Sequence, residues 1–232
     1  MLRAVFLLIA LGTMAQAQSI EAVQLIEPTV RYGHHPMGPQ VADHGALRLQ
    51  LSDGSQQVIR LPLSRVFEDN AARLVDVSPQ AGREVVVVEA DETRGARLSV
   101  YGVGGLITAS PFIGRRNRWM AVAGIADLDG DGQVEFAVVD RPHLRRTLVV
   151  WRQEGARLVA VAELPGVTNH RFGEAGIIGG LRDCGAGPEV IVARADWTGL
   201  LAARLVEDRL VARDLGDGAG AARVQDALAC AL

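Results

Sequence analysis

Apolar positions along the chain come in short β-branched runs bounded by glycine or polar residues, and long helical periodicity is absent after the first residues. Three runs follow a glutamate, and these glutamates, Glu84, Glu135 and Glu189, are 51 and 54 residues apart. Short apolar runs between turn residues are typical of buried strands. Regular recurrence of such a run predicts a repeated structural unit of about 50 residues.

The strands predicted around each glutamate have the same number and order. One apolar segment precedes each glutamate run and two follow it. The preceding segments are 73–77, 120–127 and 176–181, and the following ones are 96–101, 105–109, 147–151, 157–161, 200–205 and 209–213. Segments 45–51 and 57–63, on either side of an Asp53-Gly54 turn, supply most of a further unit.

Four units of four short strands predict an all-β fold, a four-bladed β-propeller. A two-sheet sandwich also uses many short strands, but it does not predict this repeat. Segment 222–229 resembles the first strand of a unit, so we expect this C-terminal strand to complete the N-terminal unit and close the ring.

The two cysteines, Cys184 and Cys230, fit the same hypothesis. Cys230 follows the predicted closing strand, and Cys184 lies in the first-to-second-strand turn of the last unit. This placement predicts a disulfide bond that locks the closure. Two buried free thiols are the alternative, because free cysteine is often simply buried.

The first 17 residues carry a positive start, the apolar run 4–12 and a small-residue motif ending at Ala17. This is the pattern of a secretory signal peptide, and the run is too short to span a bilayer. We therefore expect cleavage near Ala17, one domain over residues 18–232, and a periplasmic or secreted protein. That compartment permits disulfides.

Charge and hydropathy restrict the partners. The formal net charge is −3, and all 24 basic residues are arginines, spread between acidic residues. Because no basic stripe forms, nucleic acid is not an expected partner. No later segment is long and apolar enough to predict a membrane span.

The segment between two predicted strands at 127–135 alternates acidic residues with glycines. Calcium prefers several oxygen ligands, and alternate residues of a tight loop can point inward together. The pattern predicts one calcium site. Its candidate ligands are Asp127, Asp129, Asp131, Gln133 (through its carbonyl) and Glu135. A metal-free Asp-Gly turn is the alternative.

This loop resembles the calcium loop of FG-GAP and VCBS-type propeller repeats, known from integrin α-subunits and bacterial exported proteins. Their pattern is D-x-D-x-D-G-x-x-D. The first three acids match, Glu135 replaces the last one, and Phe172-Gly173 looks like the "FG" element. The resemblance implies a propeller with a structural calcium ion. The equivalent segments near Asp76 and Asp183 keep too few acids, so one ion is expected.

The other predicted face, formed by the connections between units and the second-to-third-strand turns, is rich in arginine, aromatic and histidine residues. Loops on a rigid scaffold often carry binding residues, and arginine beside aromatic rings suits carboxylate, sugar or protein contacts. We expect a non-catalytic module for a protein or glycan partner; ordinary solvated loops are the alternative. The candidates are Arg118, Trp119, Asp140, His143, Asn169, His170 and Arg171.

Two other functions remain open. A hydrolase or lyase would use His143, His170 and Asp140 for proton transfer, but no nucleophile elbow, HExxH helix or phosphate loop accompanies them, so no catalytic residue is expected. A lectin-like module would stack sugars on Trp119 and Trp197. The His34-His35 pair lacks a spaced third ligand and is a weak metal motif.

Overall fold

The computed structural model describes residues 18–77 and 82–232. The predicted signal peptide, residues 1–17, lies outside them. Within the described residues the fold is all-β, with one short helix, Ala221–Leu228 (α1). The strands are Ile20–Thr29 (β1), Asp43–Leu51 (β2), Gln56–Arg60 (β3), Arg65–Phe67 (β4), Arg73–Val75 (β5), Glu84–Asp91 (β6), Gly95–Gly102 (β7), Gly105–Ala109 (β8), Met120–Ala126 (β9), Glu135–Asp140 (β10), Thr147–Glu154 (β11), Arg157–Pro165 (β12), Val167–Thr168 (β13), Gly180–Asp183 (β14), Pro188–Arg194 (β15), Gly199–Val206 (β16) and Arg209–Asp217 (β17).

Most strand pairs fall within four consecutive units, and single residue pairs, β2 with β4 and β8 with β12, join units I to III into one 12-stranded sheet. Unit I contains β1, β2 and β3. In unit II, β4 and β5 both pair with one edge of β6, followed by β7 and β8. Unit III is the regular meander β9 to β12. Unit IV repeats the arrangement of unit II, with β13 and β14 on one edge of β15, followed by β16 and β17.

Among the repeated glutamates, Glu84 and Glu135 begin β6 and β10, and Glu189 lies one residue inside β15. All residues of β6 and β10 are buried, which explains why these runs are continuously apolar instead of alternating. The hydrophobic core lies between successive units. Phe67 packs between units I and II, Phe136 between units II and III, and Leu148 between units III and IV.

The predicted ring closure is wrong. Segment 222–229 falls almost entirely in α1 and does not add a strand to unit I, so the curled sheets do not form a closed four-blade ring. Val224, Ala227 and Leu228 stand at helical spacing in an alanine-rich segment, which favours a helix. Val224 and Ala227 are buried against Ile191 and Leu200 of unit IV.

The predicted disulfide is confirmed, but it joins different elements than expected. Cys184 and Cys230 are bonded, with their Cα atoms 5.7 Å apart. Cys184 lies in the turn between β14 and β15, and Cys230 follows α1. The bond therefore ties the C-terminal helix to unit IV and not to unit I.

The loop between β1 and β2, residues 30–42, connects unit I with the other units, and we call it the bridging loop. The Gly173 amide, in the connection between β13 and β14, donates to the Pro36 carbonyl at 2.8 Å. The Asn117 amide, in the connection between β8 and β9, donates to the Tyr32 hydroxyl at 3.0 Å. Met37 is buried in the core between units II and III. The bridging loop thus brings the first unit against the last.

Candidate functional site

The segment between β9 and β10, residues 127–134, is the acidic loop. One carboxylate oxygen from each of Asp127, Asp129 and Glu135 lies within 4.8 Å of the others, a grouping that could hold a metal ion. Asp129 is exposed, Asp127 is half-buried and Glu135 is fully buried. No other group of three histidine, cysteine, aspartate or glutamate residues within 18–77 and 82–232 meets this geometry.

The acidic loop is shaped by its own hydrogen bonds. The Asp127 carboxylate accepts the amides of Gly130 at 2.7 Å and Gly132 at 2.9 Å. Both glycines have positive φ, +83° and +89°, a conformation that side-chain-bearing residues rarely adopt. Glu135 accepts the Leu128 amide at 2.8 Å, which closes the loop onto β10.

The predicted ligand Asp131 is not a member of this three-carboxylate group. The Gln133 side chain donates to Asp131 at 3.0 Å, and Asp131 also accepts the Gln133 amide at 2.7 Å. The structure therefore brings together the carboxylates of Asp127, Asp129 and Glu135, while Asp131 and Gln133 pair with each other at the loop surface.

Arg152 is a member of this site that the sequence did not reveal. It stands opposite Glu135 in the pairing of β10 with β11. Its guanidinium donates to Glu135 at 2.7 Å, to Asp129 at 2.6 Å and to Asp208 at 3.0 Å. Burial raises the pKa of Glu135, and this effect outweighs the hydrogen bonds from the Leu128 amide and Arg152, which lower the pKa. The donor set is all oxygen, as a hard cation requires, and one guanidinium compensates only part of its charge.

A pocket of about 320 Å³ lies at the other end of β10. It forms where the bridging loop meets the β8–β9 connection, the β10–β11 turn and the β13–β14 connection. Four separate chain segments therefore contribute its walls. The lining residues are His34, Asn117, Arg118, Trp119, Arg141, Pro142, His143, Leu144 and Phe172.

One wall is a set of packed rings. The imidazoles of His143 and His170 are hydrogen-bonded at 2.9 Å, and the second ring nitrogen of His170 bonds the Glu174 carbonyl at 2.7 Å. Trp119 stacks on His143 and meets His170 edge to face. Burial, with a smaller contribution from His170, lowers the pKa of His143 to about 4, so this wall is uncharged at neutral pH.

Behind the pocket, His34 Nδ1 is hydrogen-bonded to Glu68 Oε1 at 2.8 Å. Glu68 is fully buried, and its other carboxyl oxygen has no hydrogen-bond partner in the described structure. Burial, followed by the charges of Asp43 and Asp69, raises the Glu68 pKa well above 4.5. Burial also raises the pKa of Asp43 to about 6 and lowers that of His34 to about 4. Neither Glu68 nor Asp43 was predicted as a site residue.

The predicted binding residues separate into two groups. Arg118, Trp119 and His143 line the pocket, and His170 supports His143 from behind. The other three are engaged elsewhere: Asn169 is buried, Asp140 pairs with two arginines, and Arg171 lies over the Trp197 ring at 3.9 Å.

The tryptophans do not offer stacking platforms. Trp119 is 2% exposed, and its indole nitrogen donates to the Glu68 carbonyl at 2.7 Å. Trp197 is covered by Arg171. The aromatic ring that reaches solvent at the pocket is Phe172, which is 64% exposed.

Comparison with known proteins gives no relative: no protein-family model matches the chain, and no curated protein does so significantly. Within the described residues, no helix is both long enough and apolar enough to cross a membrane. The disulfide is compatible with export to an oxidising compartment. Function is therefore inferred from the chemistry of the acidic loop and the pocket.

Proposed function

We propose that this protein is an exported, non-catalytic binding module built from FG-GAP/VCBS-like propeller units, which receives a protein or glycan partner at the pocket. The observation that carries the proposal is the convergence of four chain segments on one pocket, where Arg118 and Phe172 both reach solvent-accessible space. Loops held on a rigid scaffold are the usual position of binding residues.

The size and lining of the pocket support ligand binding. Its volume of about 320 Å³ lies at the lower end of the range for ligand sites, about 300–1,000 Å³. Aromatic and apolar walls with a few polar groups are typical of such sites. His143 and Trp119 are held in place by hydrogen bonds to His170 and Glu68, so the walls are preorganised.

The acidic loop contributes a structural calcium site under this proposal. Three carboxylates within 4.8 Å of one another, of which Glu135 is fully buried, suit a hard divalent cation. An ion there would stabilise the β9–β10 hairpin at the end opposite the pocket and would not contact the ligand.

Partner binding is tested by comparing Arg118→Ala with Arg157→Ala in the mature chain. Arg157 is exposed, forms no ion pair in the described structure and lies on β12 away from the pocket. Capture of one specific envelope protein, or binding to one glycan class on an array, is expected to be lost in Arg118→Ala and kept in Arg157→Ala. Equal binding by both variants would place the partner surface elsewhere.

Calcium binding is tested by calorimetry and by thermal unfolding with and without chelator. Calcium is expected to raise the Tm of the wild type and of Asp131→Asn, because Asp131 lies outside the three-carboxylate group. Asp127→Asn removes one of the three carboxylates and is expected to abolish the shift. A wild-type protein whose Tm does not respond to calcium refutes the metal site.

A catalytic role is a second candidate because of the His34–Glu68 pair. A histidine that lines a pocket while a buried carboxyl group holds its Nδ1 is a general acid–base arrangement. Asp140, the acid first considered for catalysis, is instead bound by Arg141 and Arg145. Turnover of a glycan that His34→Gln abolishes without weakening glycan binding would favour the enzyme.

A further inference from the structure

Three arginines of the β8–β9 connection, beside the pocket, lack carboxylate partners. Within the described residues, Arg115, Arg116 and Arg118 of the β8–β9 connection form no ion pair, and Arg116 and Arg118 donate to main-chain carbonyls at 3.3 and 2.8 Å. By contrast, Arg94 and Arg97 of the same unit pair with Asp91 and Glu89. Positive charge without a partner is therefore concentrated where Arg118 enters the pocket.

The acidic groups behind the pocket do not cancel this charge under mildly acidic conditions. Burial raises the pKa of Asp43 to about 6, so this carboxyl group is mostly protonated below pH 6. Burial also raises the pKa of Glu68 well above 4.5, which favours its neutral form. Asp140 neutralises Arg141 but not Arg118. An anion that enters the pocket thus meets an unneutralised guanidinium.

The remaining pocket chemistry is neutral and suits hydroxyl and C–H groups. His34 Nδ1 is hydrogen-bonded to Glu68. The other ring nitrogen, Nε2, has no hydrogen bond in the described structure and is available to a ligand hydroxyl. Phe172 and Leu144, 64% and 61% exposed, form an apolar lip, and Phe172 meets His143 edge to face. A sugar ring offers hydroxyls at its edge and an apolar C–H face.

We infer that the pocket binds a sugar acid, a single uronic acid ring, with its carboxylate on the Arg118 guanidinium, a hydroxyl on His34 Nε2 and its apolar face against Phe172. The volume of about 320 Å³ admits one ring more readily than a long chain. The ring can be a free monosaccharide or the end of an acidic glycan. This inference rests on the proposed binding function and names its ligand class.

Isothermal titration at pH 5.5 with glucuronate, glucose and hexanoate tests the chemistry. Glucuronate is expected to bind at least about tenfold more tightly than either control, because glucose lacks the carboxylate and hexanoate lacks the hydroxyls. A glucuronate-ended oligosaccharide separates the two sources: tighter binding than the monosaccharide assigns the glycan end, and equal binding assigns the free acid. If glucose or hexanoate binds as tightly as glucuronate, the inference is overturned.

Matched variants test whether Arg118 binds the carboxylate of the ligand. Arg118→Ala is expected to weaken glucuronate binding at least about tenfold, with Arg118→Lys intermediate and Arg157→Ala unchanged. Far-UV spectra and the Tm of each variant establish that it is folded. If no sugar acid binds while partner capture still depends on Arg118, the ligand class is wrong and the binding module stands. If neither depends on Arg118, both proposals fail.

Discussion

Two equivalent turns of neighbouring units are stabilised by different chemistry. The acidic loop of unit III and the β14–β15 turn of unit IV both lead into a strand that carries a buried glutamate, Glu135 in β10 and Glu189 in β15. In unit III the turn carries carboxylates and meets Arg152. In unit IV a disulfide holds the turn covalently, and the buried Arg182 pairs with Glu189.

The charge balance of the two turns is opposite. Glu189 has three arginine partners, Arg182, Arg204 and Arg213. Burial raises its pKa, but the hydrogen bond and charge of Arg182, with the charges of the other two arginines, lower it overall. Glu135 shares its one arginine with Asp129 and Asp208, and burial raises its pKa. Of these two turns, the acidic loop of unit III is the one with excess negative charge that a cation would neutralise.

The largest expected effect is the loss of Arg152. Arg152→Ala leaves Glu135 buried without its ion pair, and should lower the free energy of unfolding by about 3–5 kcal/mol in chelator. Arg204→Ala, the equivalent change in unit IV, leaves Glu189 with two arginines and should cost less than about 1 kcal/mol. Urea unfolding measures both.

Calcium sharpens this comparison. If the ion occupies the three-carboxylate group, it should restore part of the stability lost in Arg152→Ala, and leave Arg204→Ala unaffected. Equal losses in the two variants, with no calcium response in either, would show that the turns do not differ in charge balance.

Removal of the disulfide should have the next largest effect. Cys184→Ala combined with Cys230→Ala opens a covalent loop of 46 residues, and should cost about 2–4 kcal/mol. Hydrogen exchange is expected to increase in α1 and β14, while the acidic loop keeps its protection. Increased exchange in the acidic loop would contradict the independence of the two turns.

The smallest effect is a difference in pH dependence, measured in chelator. Glu135 has a raised folded-state pKa, so wild-type stability relative to Glu135→Gln should fall as pH rises above about 4.5. Glu189 has a lowered pKa, so wild-type stability relative to Glu189→Gln should fall as pH drops below about 4.5. Unfolding curves between pH 3 and 7 compare the two slopes, which should have opposite signs.

Short-range patterns predicted much of the fold. Continuous β-branched runs after Glu84 and Glu135 identified buried strands. The pairing of the two cysteines was predicted, although the closing strand used to argue for it is a helix. The C-terminal segment was misassigned because a short apolar run fits either a strand or a helix. Burial of Val224 against unit IV decided between them, and that contact is not visible in a sequence pattern.

The site was predictable only where it is local in the chain. Asp127, Asp129 and Glu135 lie close in sequence, so their spacing indicated their proximity. Arg152 reaches them through the register of β10 and β11, which the sequence does not specify. His34 and Glu68 meet because the bridging loop folds across three other segments, and that path depends on the packing of all four units.

The bridging loop also determines when the pocket can form during folding. Pro36 lies in the loop between the first two strands of unit I, yet its carbonyl accepts the amide of Gly173, beyond unit III in the chain. The bridging loop therefore finds this partner only after residues far along the chain have folded against unit I. Contacts of such high sequence separation are slow to form. Phe172 reaches the pocket at the same late stage, so only the completely folded chain should bind the ligand.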